Sequence, residues 1–492
     1  MNQTLIKKVH ALGGFVALAA LFLGLASPLR AYPIFARKYR TACTTCHTVF
    51  PKLNPFGQAF RLNGYRMPQE TEDLVKQEPV SLGAPAYRRM WPSAVMPSQL
   101  PGNAPVAMNV KMATVNTSSY DPTNGKTTTR NDFQLPQEAN IFGAGTLGDH
   151  MSFMAELTFG ENPDGSTSAE IEHARLDIDS ILGPDHLVNI RLGKFAPNLY
   201  DGFQEMWLMS NNGVDTMFTY NPVGYAGGTG SGFDDHATPI ISLPNRVRGI
   251  EVYGVAAHRF FYTFGAMTKI GPGGYTGSFV APGVVTVPSQ TAQTPNGNFG
   301  SNAHKDLYAR IDYKFGGMGL DGNTDGVNLP PENWRETSFR VGLLGMTGNG
   351  QDINFAVNDP LGNAFNMQDV KYTRAGIFSS LMVGDLNVFG VYLRGSDKLD
   401  LIDPATNLVL NENTRSYDTW FTQADYVINP TFITSVRYEH LRPADTSVKP
   451  EKFLNLNFTY LVFANVKTML EYREDLNETR NNQLAVVLRA AF

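Results

Sequence analysis

The chain holds two cysteines, and both lie in one run, Cys43-Thr44-Thr45-Cys46-His47. C-x-x-C-H is the spacing that attaches a c-type haem. The thiols of Cys43 and Cys46 would form thioethers to the two haem vinyl groups. The imidazole of His47, one residue on, would be the proximal ligand of the iron. No cysteine is left for a disulfide or a thiolate zinc site. A redox dithiol that happens to precede a histidine is the alternative. Covalent haem attachment takes place beyond the inner membrane, and the motif follows an export signal, so the two features support each other.

Residues 1–31 read as a signal peptide. Lys7 and Lys8 form its basic start, and Ala11 to Leu25 form a short apolar core. Cleavage would follow Ala26 or Ala31, with Arg30 an unusual neighbour. The apolar run falls short of the about 20 residues that a membrane-spanning helix needs. Losing Lys7, Lys8 and Arg30 removes three cations and takes the formal charge from −5 to −8. Such an acidic chain is not expected to bind nucleic acid.

The remainder, about 460 residues, is long enough for several globular domains. Its pattern points instead to one architecture. From residue 106 to the end, strand-like segments recur between Gly, Asn, Asp and Pro. Leu484, Val486, Leu488, Ala490 and Phe492 share one face, while Gln483 and Arg489 lie on the other. Leu454, Leu456, Phe458, Tyr460 and Val462 oppose Asn455, Asn457 and Thr459. Arg310, Asp312 and Lys314 share an inner face. Apolar-out, polar-in alternation is the signature of a transmembrane β-barrel. Strands are expected near 106, 132, 150, 168, 186, 246, 258, 304, 335, 369, 386, 415, 431, 450, 466 and 482, which makes sixteen. Tight turns are expected at Gly148-Asp149, Gly183-Pro184-Asp185, Gly384-Asp385, Asn429-Pro430 and Ala464-Asn465. Long segments, notably 195–245 and 270–303, alternate with them. Short periplasmic turns and long external loops give this rhythm. The fold class is therefore all-β: a 16-stranded antiparallel outer-membrane barrel, residues 106–492, in contact with membrane lipid.

One connection breaks the rhythm. Residues 316–334 should form a short turn but are long. Asp321, Asn323, Asp325 and Glu332, with Gly326, have the spacing of a calcium loop. Pro330 and Pro331 intervene where such loops run into a helix. A solvated Gly/Asn/Asp-rich turn is the alternative.

Residues 32–70 form the haem segment, with 71–105 as a linker or plug. So short a segment buries too little surface to hold a haem alone. The lumen or periplasmic mouth of the barrel is the expected support. Met67, twenty residues after His47, is the candidate sixth ligand of the iron. Met90 and Met96 are further candidates, as are His150, His186 and His258 near proposed turns. Arg37, Lys38 and Arg40 could pair with haem propionates.

The residues flanking the motif carry a family resemblance. Pro33-Ile34-Phe35-Ala36-Arg37 leads into it, and the run from Phe50 to Tyr65, FPKLNPFGQAFRLNGY, follows it. Together they resemble the fused cytochrome–porin family of outer-membrane iron oxidases over about 35 residues. The chain departs from that pattern at Lys38-Tyr39, where the family leads one to expect Gln-Thr. The resemblance implies one haem c, a porin-type barrel and electron uptake from extracellular Fe(II). A periplasmic c-type cytochrome would take the electron onward. A porin with a haem-bearing gate, and a conduit running outward, are the other readings. Asp234, Asp235 and His236 could collect Fe(II). No Ser/His/Asp or paired-carboxylate signature stands out, and outer-sphere electron transfer needs none.

Overall fold

A computed structural model describes residues 34–39, 41–67, 106–148, 150–161, 167–182, 186–199, 243, 246–268, 305–355, 365–398, 401–402, 409–411, 414–442 and 449–491. The N-terminal part carries three short helices and a two-stranded ribbon. These are α1 (Ile34–Lys38), α2 (Cys43–Cys46), β1 (His47–Val49), β2 (Lys52–Leu53) and α3 (Pro55–Leu62). Sixteen strands then close into one barrel. They are β3 (Val106–Asp121), β4 (Lys126–Leu147), β5 (Met151–Glu161), β6 (Thr167–Ile178), β7 (Asn189–Phe195), β8 (Val247–Ala256), β9 (Phe260–Met267), β10 (Asp306–Gly316), β11 (Glu336–Phe355), β12 (Phe365–Gly384) and β13 (Leu386–Lys398). After a small ribbon, β14 (Leu401–Ile402) and β15 (Val409–Asn411), come β16 (Thr414–Asn429), β17 (Phe432–Arg442), β18 (Glu451–Phe463), β19 (Val466–Asp475) and β20 (Asn482–Ala491).

Each barrel strand pairs antiparallel with the next, and β20 pairs with β3 through Leu488↔Met112 and Ala491↔Asn109. Closure leaves no unpaired edge. All sixteen expected strands are present. The largest departure is β4, which begins at Lys126 and not near 132. The apolar alternation starts only at Phe133, but the ladder with β3 runs on through polar, exposed residues to Asp121↔Lys126. The ribbon β14–β15 carries no period-2 signal and was not expected. The turns at Gly148, Gly384, Asn429 and Ala464 fall where the sequence puts them. The proposed turn at 183–185, residues 1–31 and 71–105, and Phe492 lie outside the described residues.

The two faces of the wall obey opposite rules. Leu343, Phe458, Phe315 and Ile250 point outward and are more than half exposed. Asn455, Asn457, Thr459, Arg310, Asp312 and Lys314 point inward and are buried. A buried charge is costly unless it is paired, and several of the inward charges are paired. Arg191 binds Asp177 and also Glu251, at 3.1 Å. Lys314 meets Glu336 at 2.7 Å, and Arg437 meets Glu439 at 2.7 Å. Arg310 and Arg340 share Asp312. Between these pairs the inner wall is apolar and crowded. Phe195, Leu199, Tyr308, Tyr372, Phe378, Phe389 and Phe421 belong to one buried cluster.

The pairing yields an expected outcome. Arg191→Met leaves Asp177 and Glu251 facing each other without their shared cation, at a cost of about 3–5 kcal/mol. The urea midpoint of the folded, heat-modifiable band on a cold gel should fall accordingly. An unmoved midpoint would mean that the pairing adds nothing.

Candidate functional site

Helix α2 is a single turn that spans Cys43–Cys46. A spacing of three places both sulfur atoms on one face of that turn. Neither cysteine is in a disulfide. His47 leaves the helix in an extended conformation, φ −121° and ψ 135°. It starts the ribbon, in which it faces Leu53. The ribbon brings the Pro51 carbonyl back to the imidazole, and His47 Nδ1 lies 3.2 Å from it. A carbonyl only accepts, so Nδ1 carries the proton and Nε2 keeps its lone pair.

Helix α3 is held against this turn. Asn54 caps it, accepting from Gly57 N at 2.8 Å, and Pro55 follows at its first position. The same Asn54 side chain donates to the carbonyls of Thr44 and Thr45 at 3.2 and 3.1 Å. One side chain thereby caps one helix and closes the loop of the other. Gly57 is required by close approach: a Cβ there would lie 1.9 Å from the Cys46 carbonyl oxygen. Behind α3, Phe35, Phe60 and Tyr65 form an aromatic cluster. Phe35 stacks on Tyr65 at 4.7 Å and meets Phe60 edge-on at 5.3 Å.

Electrostatics suit a neutral donor set. Burial pushes the His47 imidazole down to about 4, so the ring stays neutral at ordinary pH. Burial, with Cys43 nearby, pushes the Cys46 thiol up to about 12. Cys43 is likewise raised by burial. A neutral imidazole with a fixed tautomer and two uncharged sulfurs on one face is the set that a covalent haem takes up. The residues present therefore fit the group.

The segment is fastened to the inward side of the wall, at the end of the barrel where the short turns lie. Lys52 donates to Asn387 at 2.9 Å and pairs with Asp425. Arg61 donates to Asn198 at 2.6 Å. Arg66 donates to Asp179 at 3.1 Å, and to the carbonyls of Gly148 and Met151 at 2.7 Å each. Leu62 packs with Tyr253, Val255, Phe261 and Leu320, and Val49 with Val427, Ile433 and Leu461. Arg37 and Lys38, expected beside propionates, reach Val106 O and Thr146 Oγ1 of the wall. Met67 follows Arg66 at the end of the described segment and is half-buried.

The histidines near the turns are engaged locally. His150 Nδ1 lies 3.2 Å from Asp179 O, His186 Nδ1 lies 2.9 Å from Ser180 Oγ, and His258 Nδ1 lies 2.6 Å from Asp321 Oδ2. Met90, Met96, Arg40, Asp234, Asp235 and His236 lie outside the described residues.

The long β10–β11 connection holds the residues of the expected calcium loop. Asp321, Asn323 and Asp325 do come together, but as successive side-chain-capped turns. Asp321 Oδ1 accepts from Asn323 N, and Asn323 Oδ1 accepts from Asp325 N, both at 3.1 Å. Glu332 does not join them and pairs with Arg335 at 3.1 Å. No cluster of acidic, His or Cys groups able to hold a metal ion occurs among the described residues. The same residue types that suit a calcium loop satisfy backbone N–H groups in turns. The connection is long because it straps the N-terminal segment down. Asn333 donates to Thr45 O at 3.2 Å, and the Asp321 carbonyl accepts from Asn63 at 3.0 Å. Trp334 packs against the cluster that contains Val49. Sequence reasoning missed this strap, and also Lys52, Arg61 and Arg66. Their wall partners lie 82 or more residues away, and nothing in a local pattern reports them.

No family model matches the chain, and no curated protein matches it. Solved structures similar to it are barrels. Salmonella typhi OmpF in complex with daunomycin is 11% identical, with a TM-score of 0.46, over 79% of this chain and 97% of that one. An anion-selective porin from Comamonas acidovorans is 11% identical, with a TM-score of 0.44, over 79% and 99%. Pseudomonas putida OprB is 11% identical, with a TM-score of 0.43, over 79% and 94%.

Gly57→Ala should force α3 away from α2 without touching the barrel. Haem staining of the purified band should fall severalfold while heat-modifiability persists. Full staining would show that the close approach is dispensable.

Proposed function

We propose that the protein is a one-haem electron conduit of the outer membrane. In this reading Cys43 and Cys46 hold a covalent haem c and His47 is its proximal ligand. Electrons come from extracellular Fe(II) and leave to a periplasmic c-type cytochrome. The observation that carries the reading is the C-x-x-C-H turn with its His47 tautomer fixed, docked against the inner wall of a closed barrel. The haem, when bound, supplies a one-electron Fe(III)/Fe(II) couple. The chain's own residues hold and tune it.

Membrane insertion follows from the barrel's faces. Every ladder hydrogen bond closes internally, and the outward residues are apolar, which is what a hydrocarbon environment demands. Cys43 and Cys46 would hold the haem through thioethers, each S–H adding across one vinyl double bond with no net change in oxidation state. His47, neutral and oriented by Pro51, would offer Nε2 as the iron ligand. Lys52, Arg61 and Arg66 fix the segment, so that the ligand set cannot drift relative to the barrel. The crowded inner wall and the strapped segment favour a conduit over an open diffusion pore. Met67 stays the proposed sixth ligand, and Fe(II) the proposed donor.

A Cys43→Ala, Cys46→Ala double variant should lose its haem-stained band on a denaturing gel; a surviving band would sink the attachment. Stopped-flow mixing of the purified protein with Fe(II) should reduce the haem within seconds. An inert haem, with free solute flux through liposomes, would instead mark a porin. Met67→His should keep the haem low-spin but lower its potential, because imidazole favours Fe(III) more than a thioether does. Electron uptake should slow, as each ~59 mV lost removes about 1.4 kcal/mol of driving force. An unchanged spectrum and potential would assign the sixth position to another residue, with His150 and His258 tested next.

A further inference from the structure

Four neighbouring strands, β13, β16, β17 and β18, pair in that order, and their even-numbered residues take the outward positions. This outer face is divided by height. Near the short turns it carries Tyr426, Phe432 and Tyr460, and Phe432 stacks on Tyr460 at 4.7 Å. Six residues further along β17 stands Tyr438, about 20 Å away along the strand. Its ring lies 5.1 Å from that of Trp420, which in turn stacks on His440 at 5.7 Å. Two aromatic levels thus bracket an apolar stretch, as the girdles of an outer-membrane barrel do. Trp420 and Tyr438 mark the external border of the hydrocarbon.

Besides His440, the charged residues in these outward positions are Arg394, Lys398, Asp418, Arg442 and Lys452, all at or beyond that border. Four of the five are cations. Arg394, Asp418 and Arg442 form one row across three strands. The next row is Tyr392, Trp420, His440 and Lys452. Arg442 pairs with Asp418, yet its side chain stays 63% exposed. Four residues beyond Arg394 on β13, Lys398 directly faces Lys371 of β12. Like charges in that register destabilise a ladder, and a shared anion relieves the repulsion. Height alone does not demand this composition. The outward positions of β19, β20 and β3 hold no cation, and Glu474 is their only charge. The cations form a patch on one side of the barrel, not a uniform ring.

We propose that the outward face of β13, β16, β17 and β18 binds a phosphorylated glycolipid of the outer leaflet, with Arg394, Arg442 and Lys452 on its phosphates and the Trp420–Tyr438 patch against its sugar. This rests on the outer-membrane part of the reading given above, and not on the haem. Adjacent strands lie about 4.8 Å apart, so the long side chains of the two rows converge on a group of phosphate size. Arg and Lys hold phosphate through charge-assisted hydrogen bonds. Trp and Tyr suit a border that is apolar on one side and wet on the other.

The test adds purified bisphosphorylated lipid A to the full-length holoprotein in detergent and follows bound lipid by native mass spectrometry. The parent should hold lipid A more tightly than its dephosphorylated form. An Arg394→Gln, Lys452→Gln double variant keeps the Arg442–Asp418 pair and should bind severalfold more weakly. Arg394→Lys with Lys452→Arg should bind as the parent does. Arg248→Gln, on the outward face of β8, should change nothing. The heat-modifiable band reports assembly. Equal binding by the parent and the neutral double variant overturns the inference, as does equal binding of lipid A with and without its phosphates. Displacement of lipid A by inorganic phosphate would mark a free-anion site and overturn it too. If the double variant and both of its single variants fail to assemble, the charges are structural and the inference falls. Recovery of the parent outside the outer membrane would sink the membrane reading instead, whatever lipid A does in detergent.

Discussion

Three buried cations of the N-terminal segment bind the barrel wall, and the rest of the site depends on them. Lys52, Arg61 and Arg66 are all buried, and each finds its partner on the barrel. A segment of this length cannot hide enough apolar surface to fold by itself around a large planar cofactor. The wall supplies what is missing: polar partners for the cations, and apolar patches for Val49, Leu62 and Ile34. Partition is therefore asymmetric. The barrel closes without the segment, whereas the segment has no complete core without the barrel.

The same asymmetry decides what the sequence could reveal. Strands were legible because the wall separates two solvents, and a period of two follows directly from that. The pattern of β18, with Leu456 and Phe458 outward and Asn455 and Asn457 inward, is present in the residues themselves. Where the ladder outruns the apolar stretch, as at the start of β4, the signal stops and the boundary is misplaced. The C-x-x-C-H motif was legible because Cys43, Cys46 and His47 are adjacent in sequence. The docking was not, since Lys52 and Asp425 are 373 residues apart. The β10–β11 strap was not legible for a different reason. Asx turns and calcium loops draw on the same carboxylate and amide chemistry, so the spacing of Asp321, Asn323 and Asp325 suits either.

Within the site, small features carry large constraints. Asn54 joins the cap of α3 to the carbonyls of Thr44 and Thr45, so the two helices cannot move independently. Gly57 removes the one Cβ that would part them. Pro51 turns its carbonyl toward His47 and selects the tautomer that leaves Nε2 available. Each of these acts through the backbone, which is why the segment can hold a ligand set with so few residues.

The central claim is that electrons cross the barrel through the group held at Cys43, Cys46 and His47. The most direct measurement places Fe(II) outside sealed proteoliposomes and a soluble c-type cytochrome inside, and follows the absorption of the enclosed cytochrome. The account predicts reduction of the internal cytochrome with the parent protein, and none with the Cys43→Ala, Cys46→Ala variant. Equal reduction with both proteins, or none with either, would contradict it.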